Sequence, residues 1–235
     1  MKRAALLLLL ALSVIAVPAF ADSDVFLLGF AGYDYESPNP NPGPDPGNYL
    51  NIGEGYKALG FVTDFGAYLA PYVNITANEY TYYYYDLTVQ NYAYYPEFGY
   101  LEVGFANPGR GRFYEDSHAT GTPAWYGVYP PNATAPSTFI DGTVFLGGHI
   151  EYLVLSYDFG ANQGGFTGNI HFDEGSLLSQ IPLAQRDGWT LSGLAGRPNP
   201  AIPDGYDHQI SGECRIPGPV PAAHRTWGAL KALYR

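Results

Sequence analysis

The sequence predicts an all-β protein: an antiparallel β-sandwich, jelly-roll-like, with few or no helices. Three observations carry that expectation. Short segments rich in tyrosine, phenylalanine and valine alternate with a period of two, as half-buried strands do. Between them the chain is punctuated by 29 glycines and 20 prolines, which end strands and helices alike. Only one short mid-chain stretch leans towards helix. With 22 tyrosines and 14% charged residues, the chain has aromatic surface for a sizeable core and lacks the signature of disorder.

The first element stands outside the fold. Lys2 and Arg3 precede an apolar run over residues 4–16, and Ala19-Phe20-Ala21 supplies a small-x-small cleavage site. Residues 1–21 therefore read as a bacterial Sec signal peptide, and the mature chain is expected to be secreted, periplasmic or on the cell surface. No later apolar run is long enough for a spanning helix, so no transmembrane span is expected in the mature chain. Cleavage removes two of the 11 basic residues and none of the 22 acidic ones, leaving a charge of about −13. That balance excludes nucleic acid and anionic membranes as natural partners.

Residues 25–33 read as the first strand, and "SPNPNPGPDPG" (37–47) as a loop, since proline at nearly every second position cannot donate to a ladder. Further strands are expected over 56–70 and 72–77, interrupted at Pro71. In "EYTYYYYDLTV" (79–89), period-two alternation places Tyr80, Tyr82, Tyr84 and Asp86 on one face. Thr81, Tyr83, Tyr85, Leu87 and Val89 fall on the other. Aromatic residues on both faces suit a sandwich strand covered on one side and half-shielded on the other. Residues 98–105 are expected to pair with it across Pro96. Residues 104–135 read mostly as loop. Residues 138–146 and 149–159 then read as a hairpin around Gly147-Gly148. A strand over 166–172, a helical leaning over 176–186, and strands over 189–191 and 208–216 complete one domain, 22–215. Cys214 stands alone, which precludes an internal disulfide and fits a small buried apolar residue.

Residues 216–235 form a proline-rich linker, "IPGPVP", and a basic, apolar tail. Thr226 can cap a short helix presenting Trp227, Leu230, Leu233 and Tyr234 at helical spacing. The pattern Thr-Trp-Gly-x-Leu-Lys-x-Leu-Tyr-Arg, closing on Lys231, Tyr234 and Arg235, resembles C-terminal tails of otherwise unrelated exported proteins of some environmental bacteria. That resemblance covers about ten residues and implies a sorting or attachment signal. It departs from Pro-Glu-Pro sorting signals in having no membrane-spanning run and no terminal arginine cluster.

Candidate chemistry is sparse. Tyr82, Tyr84, Trp125 and Trp189 are the rings on which a glycan could stack. His149-x-Glu151 and His171-x-Asp173 each place two ligand types on one face of a strand, and adjacent strands could bring both pairs to one metal. Asp34, Glu36 and Asp45, with Asp204 and Asp207, are hard oxygen donors of the kind Ca²⁺ takes, without a ligand-spacing motif. No other cofactor is indicated. The chain has no Gly-x-Ser-x-Gly, no His-Glu-x-x-His and no phosphate-binding glycine loop. The sequence thus predicts a non-catalytic exported protein, either a surface or matrix component or a weak glycan-binding module, partnered by a glycan or an envelope component. A secreted jelly-roll hydrolase or lyase acting on polysaccharide is the alternative.

Overall fold

The computed structural model describes residues 24–37, 50–106, 109–197 and 202–216. Nine strands are found there: β1 (Val25–Ser37), β2 (Gly55–Phe65), β3 (Asn78–Tyr95), β4 (Tyr100–Ala106), β5 (Gly109–Ser117), β6 (Thr143–Asp158), β7 (Gln163–Glu174), β8 (Trp189–Gly196) and β9 (His208–Ile216). Helical structure among the described residues is confined to isolated 3₁₀ turns. None of it is long and apolar enough to cross a membrane.

Every pairing is antiparallel, and the sheet closes on itself. β1 pairs β2, β2 pairs β3, and β6 to β9 pair in succession before β9 returns to β1. Between β3 and β6 one position is shared. β5 covers the first half of β3 and β4 the second, and β6 is divided between them in the same way. The circuit therefore has eight positions: an up-and-down barrel, not the expected sandwich or jelly roll. The physical reason is that sandwich and barrel share the same local pattern of alternating strands and tight turns. What separates them is the closing ladder between β1 and β9, including Asp34 opposite His208, whose residues are remote in sequence.

Closure changes several elements. Gly147 and Gly148 lie inside a continuous β6 rather than at a hairpin turn. A Cβ on Gly148 would stand 2.0 Å from the His171 carbonyl oxygen, so the glycine permits close approach of two backbones. β5 lies in the stretch read as loop, because its inward positions include Gly109 and Gly111, which hide the alternation with outward Arg110 and Arg112. Residues 72–77 form no strand, and the helical leaning over 176–186 resolves into two 3₁₀ turns. The proline-rich loop (38–49) and the tail lie outside the described residues.

The tyrosine strand has an internal correction. Tyr80, Tyr82 and Tyr84 point into the barrel, but Asp86 adopts a left-handed conformation at φ 57°. One residue drops out of the alternation there, as Tyr84 pairs Ala58 while Leu87 pairs Tyr56. Leu87 and Val89 consequently join Tyr82 in the interior instead of facing away from it. The opposite face is also buried. Tyr83 and Tyr114 on the outer wall, with Tyr35 and Leu59, lie beneath Ala135, Phe139, Ile202 and Tyr206 from two long connections.

The interior is full. Phe30, Tyr82, Phe113, Phe145, Phe172 and Trp189 are among its largest wholly buried side chains. Across one row, Phe166 pairs Gly193, Gly193 pairs Gly212, and Gly212 pairs Phe30. A Cβ on Gly193 would meet the tip of Phe166 at 2.5 Å, and one on Gly212 would meet Phe166 and Phe30 at 2.7 Å each. Two large rings thus occupy the space that two glycines vacate, the alternation of large and small that a narrow barrel needs. Tyr56, Tyr84, Leu153, Phe166, Leu191 and Ile210 surround a void of only about 10 Å³.

Candidate functional site

At the end of the barrel where β1 and β8 finish and β2 and β9 begin, the interior turns polar. Alternation after Phe30 carries Asp34 and then Glu36 inward from β1. Asp34 and His208 are 0% exposed, Glu36 and Asp207 2%, in a barrel otherwise filled with apolar side chains. Such groups are retained in a core only when they are hydrogen-bonded.

Asp34 is the hub. Its Oδ1 accepts the His208 backbone N–H at 2.6 Å, its Oδ2 accepts the Tyr56 hydroxyl at 2.9 Å, and His208 Nδ1 lies 3.1 Å from both oxygens. That geometry makes Nδ1 the protonated ring nitrogen, donating to the carboxylate. The Asp34 main-chain carbonyl accepts the Asp207 N–H at 2.9 Å. Asp207 Oδ2 in turn accepts the Glu36 N–H at 3.0 Å, and Glu36 Oε1 accepts the Leu50 N–H at 2.9 Å. Glu36 Oε2 is buried with no hydrogen-bond partner. Arg197 donates to the carbonyls of Asp207 (2.8 Å) and Tyr206 (3.4 Å), and the Tyr157 ring lies 4.6 Å from that of His208. The network ties β1, β2 and β9 to the approach to β2 and, through Arg197, to the segment that leaves β8.

The setting shifts the groups involved. Burial, then the charge of Asp207, pushes the Glu36 carboxyl up to about 8, against the pull of the Leu50 N–H. Burial, then Asp34, holds the Tyr56 phenol well above its usual range. A His–Asp pair beside a tyrosine has the makings of acid–base chemistry, but a dyad with no exposed surface has no room for a substrate.

A second charged cluster lies on the outer wall over β5, β6 and β7. His149 and His171 face each other across the β6–β7 ladder. His149 Nδ1 is 2.6 Å from Asp173 Oδ2, and Arg110 donates to His149 Nε2 at 2.9 Å. Arg110 also bonds Asp173 at 3.3 Å and bonds Glu174, which Arg112 holds at 2.8 Å. His171 leans instead to Asp187 at 3.3 Å.

The residues singled out in the sequence distribute as follows. His149, His171 and Asp173 share the outer wall, and Glu151 is exposed beyond a break in the β6–β7 register. Among the described residues, no three His, Cys, Asp or Glu side chains are grouped so as to hold a metal ion. Of the oxygen donors, Asp34, Glu36 and Asp207 come together, Asp204 is exposed, and Asp45 lies outside the described residues. Tyr82, Tyr84 and Trp189 are buried in the barrel, whereas Trp125 is 69% exposed on a connecting loop. Cys214 is buried among them, its thiol pushed up by burial. Trp227, Leu230, Lys231, Tyr234 and Arg235 lie outside the described residues. Tyr56 and His208 belong to the polar cluster and have no local signal. The signal that existed was Asp34 and Glu36 two and four residues beyond Gly32 on the face that carries Phe30: charge on the inward face of an apolar strand. Comparison with protein-family models, curated proteins and solved structures finds no match to this chain.

Proposed function

We propose that the chain is an exported, non-catalytic β-barrel component of the cell surface or extracellular matrix, delivered by residues 1–21 and addressed by its C-terminal tail. The observation that carries this reading is where the aromatic side chains go. Tyr82, Tyr84 and Trp189 fill the barrel, and Tyr35, Tyr83 and Tyr114 of its outer wall lie under connecting loops, so these rings are used in packing. The interior void beside Tyr56, Tyr84 and Phe166, at about 10 Å³, is too small for a ligand of the kind larger-bored barrels carry. Strand positions pointing outward, such as Glu102, Glu151, Thr167 and Gln209, are polar and exposed, the reverse of a lipid-facing wall. Water, not bilayer, is the medium those positions suit.

A weak glycan-binding module is the second reading, and one feature favours it. An open groove of about 620 Å³ crosses the outer wall at the ends of β7, β8 and β9, lined by Asn162, Gln163, Arg197, Gln209 and Ser211 beside exposed Leu194. Amides, a guanidinium and an apolar contact are suited to sugar hydroxyls and ring faces.

The test is a glycan array and a polysaccharide-degradation assay with the mature chain, alongside localisation of the full chain carrying Trp227→Ala, Leu230→Ala and Tyr234→Ala. No glycan binding, no degradation and a shift of the triple variant from surface to medium are expected. Saturable binding abolished by Arg197→Ala would select the second reading. Degradation of any polysaccharide would overturn both, and unchanged surface retention would overturn the role of the tail.

A further inference from the structure

Among the described residues, Glu36 is a buried carboxyl with one oxygen left without a hydrogen-bond partner. It is 2% exposed, its Oε2 meets no donor, and three carboxylates raise its affinity for a proton. Those are Asp207, from the approach to β9; Glu54, from the approach to β2; and Asp34, on its own strand. The other titratable or charged groups of the cluster are engaged elsewhere. His208 and Tyr56 bond Asp34, the Tyr157 ring packs at a tilt against His208, and Arg197 donates to main-chain carbonyls. A buried carboxylate among like charges has one inexpensive remedy, which is to take a proton.

We propose that Glu36 is a proton-operated latch on this end of the barrel. Neutral, it lies beside Asp207 and accepts the Leu50 N–H. Ionised, it is repelled by Asp207 and Glu54, and the segments 50–54 and 202–207 loosen together. The geometry makes the two movements one event. The Glu36 N–H is bonded to the Asp207 side chain while the Glu36 side chain is bonded to Leu50, so a displacement of Glu36 is felt by both. Leu50 adds a bias of its own, since it sits at φ 43°, a backbone region that non-glycine residues leave readily when released. The latch opens towards alkaline pH, which follows the rise of this carboxyl to about 8.

Peptide-resolved hydrogen exchange of the mature chain between pH 6 and 9.5, corrected for intrinsic exchange, reads the latch directly. In the wild type, protection over 50–54 and 202–207 is expected to fall at least about tenfold on crossing the midpoint, with the remaining strands unaffected. Glu36→Gln keeps the acceptor for Leu50 and cannot ionise, so its protection should stay level. Asp207→Asn removes the nearest repelling charge and keeps an oxygen for the Glu36 N–H. In that variant the midpoint should stay where it is if Asp207 acts only through the hydrogen bond, and move to lower pH if it acts through charge. The latch requires the shift to lower pH. Level protection in the wild type, a parallel fall in Glu36→Gln, or a midpoint in Asp207→Asn that stays put or rises would each overturn it.

Discussion

Two charged clusters among the described residues are built from nearly the same residue types, one inside the barrel end and one on the outer wall. Inside, Asp34, Glu36 and Asp207 meet His208 at 0–2% exposure. Outside, Asp173 and Glu174 meet Arg110, Arg112 and His149 with side chains 20–44% exposed. The outer cluster is close to balanced in sign, and water can replace any contact that is lost. The inner cluster is unbalanced and has no such reserve. The two glutamates record the difference. Glu36 is pushed up to about 8 by burial and Asp207, while Glu174 is held below the usual carboxylate range by its hydrogen bond from Arg112. Setting, not composition, decides both the size and the sign of the electrostatic effect.

The sharpest way to break that contrast is Asp34→Ala. It strips the acceptor from Tyr56, from His208 Nδ1 and from the His208 N–H at once, within a space that excludes water. Removing one member of a buried pair costs about 3–5 kcal/mol, so melting should fall by roughly 10 °C or more in a domain of this size. A loss of only a degree or two on thermal denaturation would mean that the cluster is hydrated and the contrast false.

Titrating stability against pH separates the clusters by sign. Glu36 has a folded value above its unfolded one, so the native state binds the extra proton between about 4.5 and 8. Its contribution is fully present below 4.5, declines through that interval and is lost above about 8. Glu174 has a folded value below its unfolded one; its contribution is present above 4.5 and is lost as pH falls through the folded value. Chemical denaturation should therefore show a decline of about 4 kcal/mol from pH 5 to 9 that Glu36→Gln abolishes. A flat alkaline limb in the wild type would refute the assignment. Tyr56→Phe probes the same cluster more gently. It removes one hydroxyl from Asp34 Oδ2 while His208 Nδ1 stays at 3.1 Å, and about 1 kcal/mol should be lost, measurable as a shift in denaturation midpoint at constant m.

The sequence made the all-β composition, most strand positions and the last strand legible, because period-two alternation is a local property. Closure was not legible. It rests on β9 meeting β1, and on β4 and β5 sharing one position, neither of which leaves a local mark. Glycines misled twice, where Gly147-Gly148 mimicked a turn and Gly109 and Gly111 masked a strand. In both places glycine is needed for close packing inside the sheet. Of the inner cluster, Asp34, Glu36 and Asp207 were visible as oxygen donors, but Tyr56 and His208 were not. Their roles come from register, which pairs Asp34 with His208 and Ala58 and so brings Tyr56 within reach. The left-handed Asp86 likewise put Leu87 and Val89 on a face that strict alternation denies them.

The smallest expected effect sharpens the outer side of the contrast. Glu174→Gln removes the carboxylate that Arg112 grips through Nε at 2.8 Å and Nη2 at 3.3 Å and that Arg110 also contacts. The bidentate grip makes it the best-held pair on that wall, but it is nearly one-third exposed, and Arg110 keeps Asp173 as a partner. About 0.5 kcal/mol should be lost at low salt. In roughly 1 M salt, where charges are screened within about 3 Å, the difference from wild type should shrink towards zero. The same addition should leave the Asp34→Ala difference almost intact, because no ions reach a 0%-exposed carboxylate. Paired denaturation curves at the two salt concentrations therefore decide the matter. A Glu174→Gln loss above about 1.5 kcal/mol that salt does not reduce would place the outer cluster in the same class as the inner one, and the distinction between them would fail.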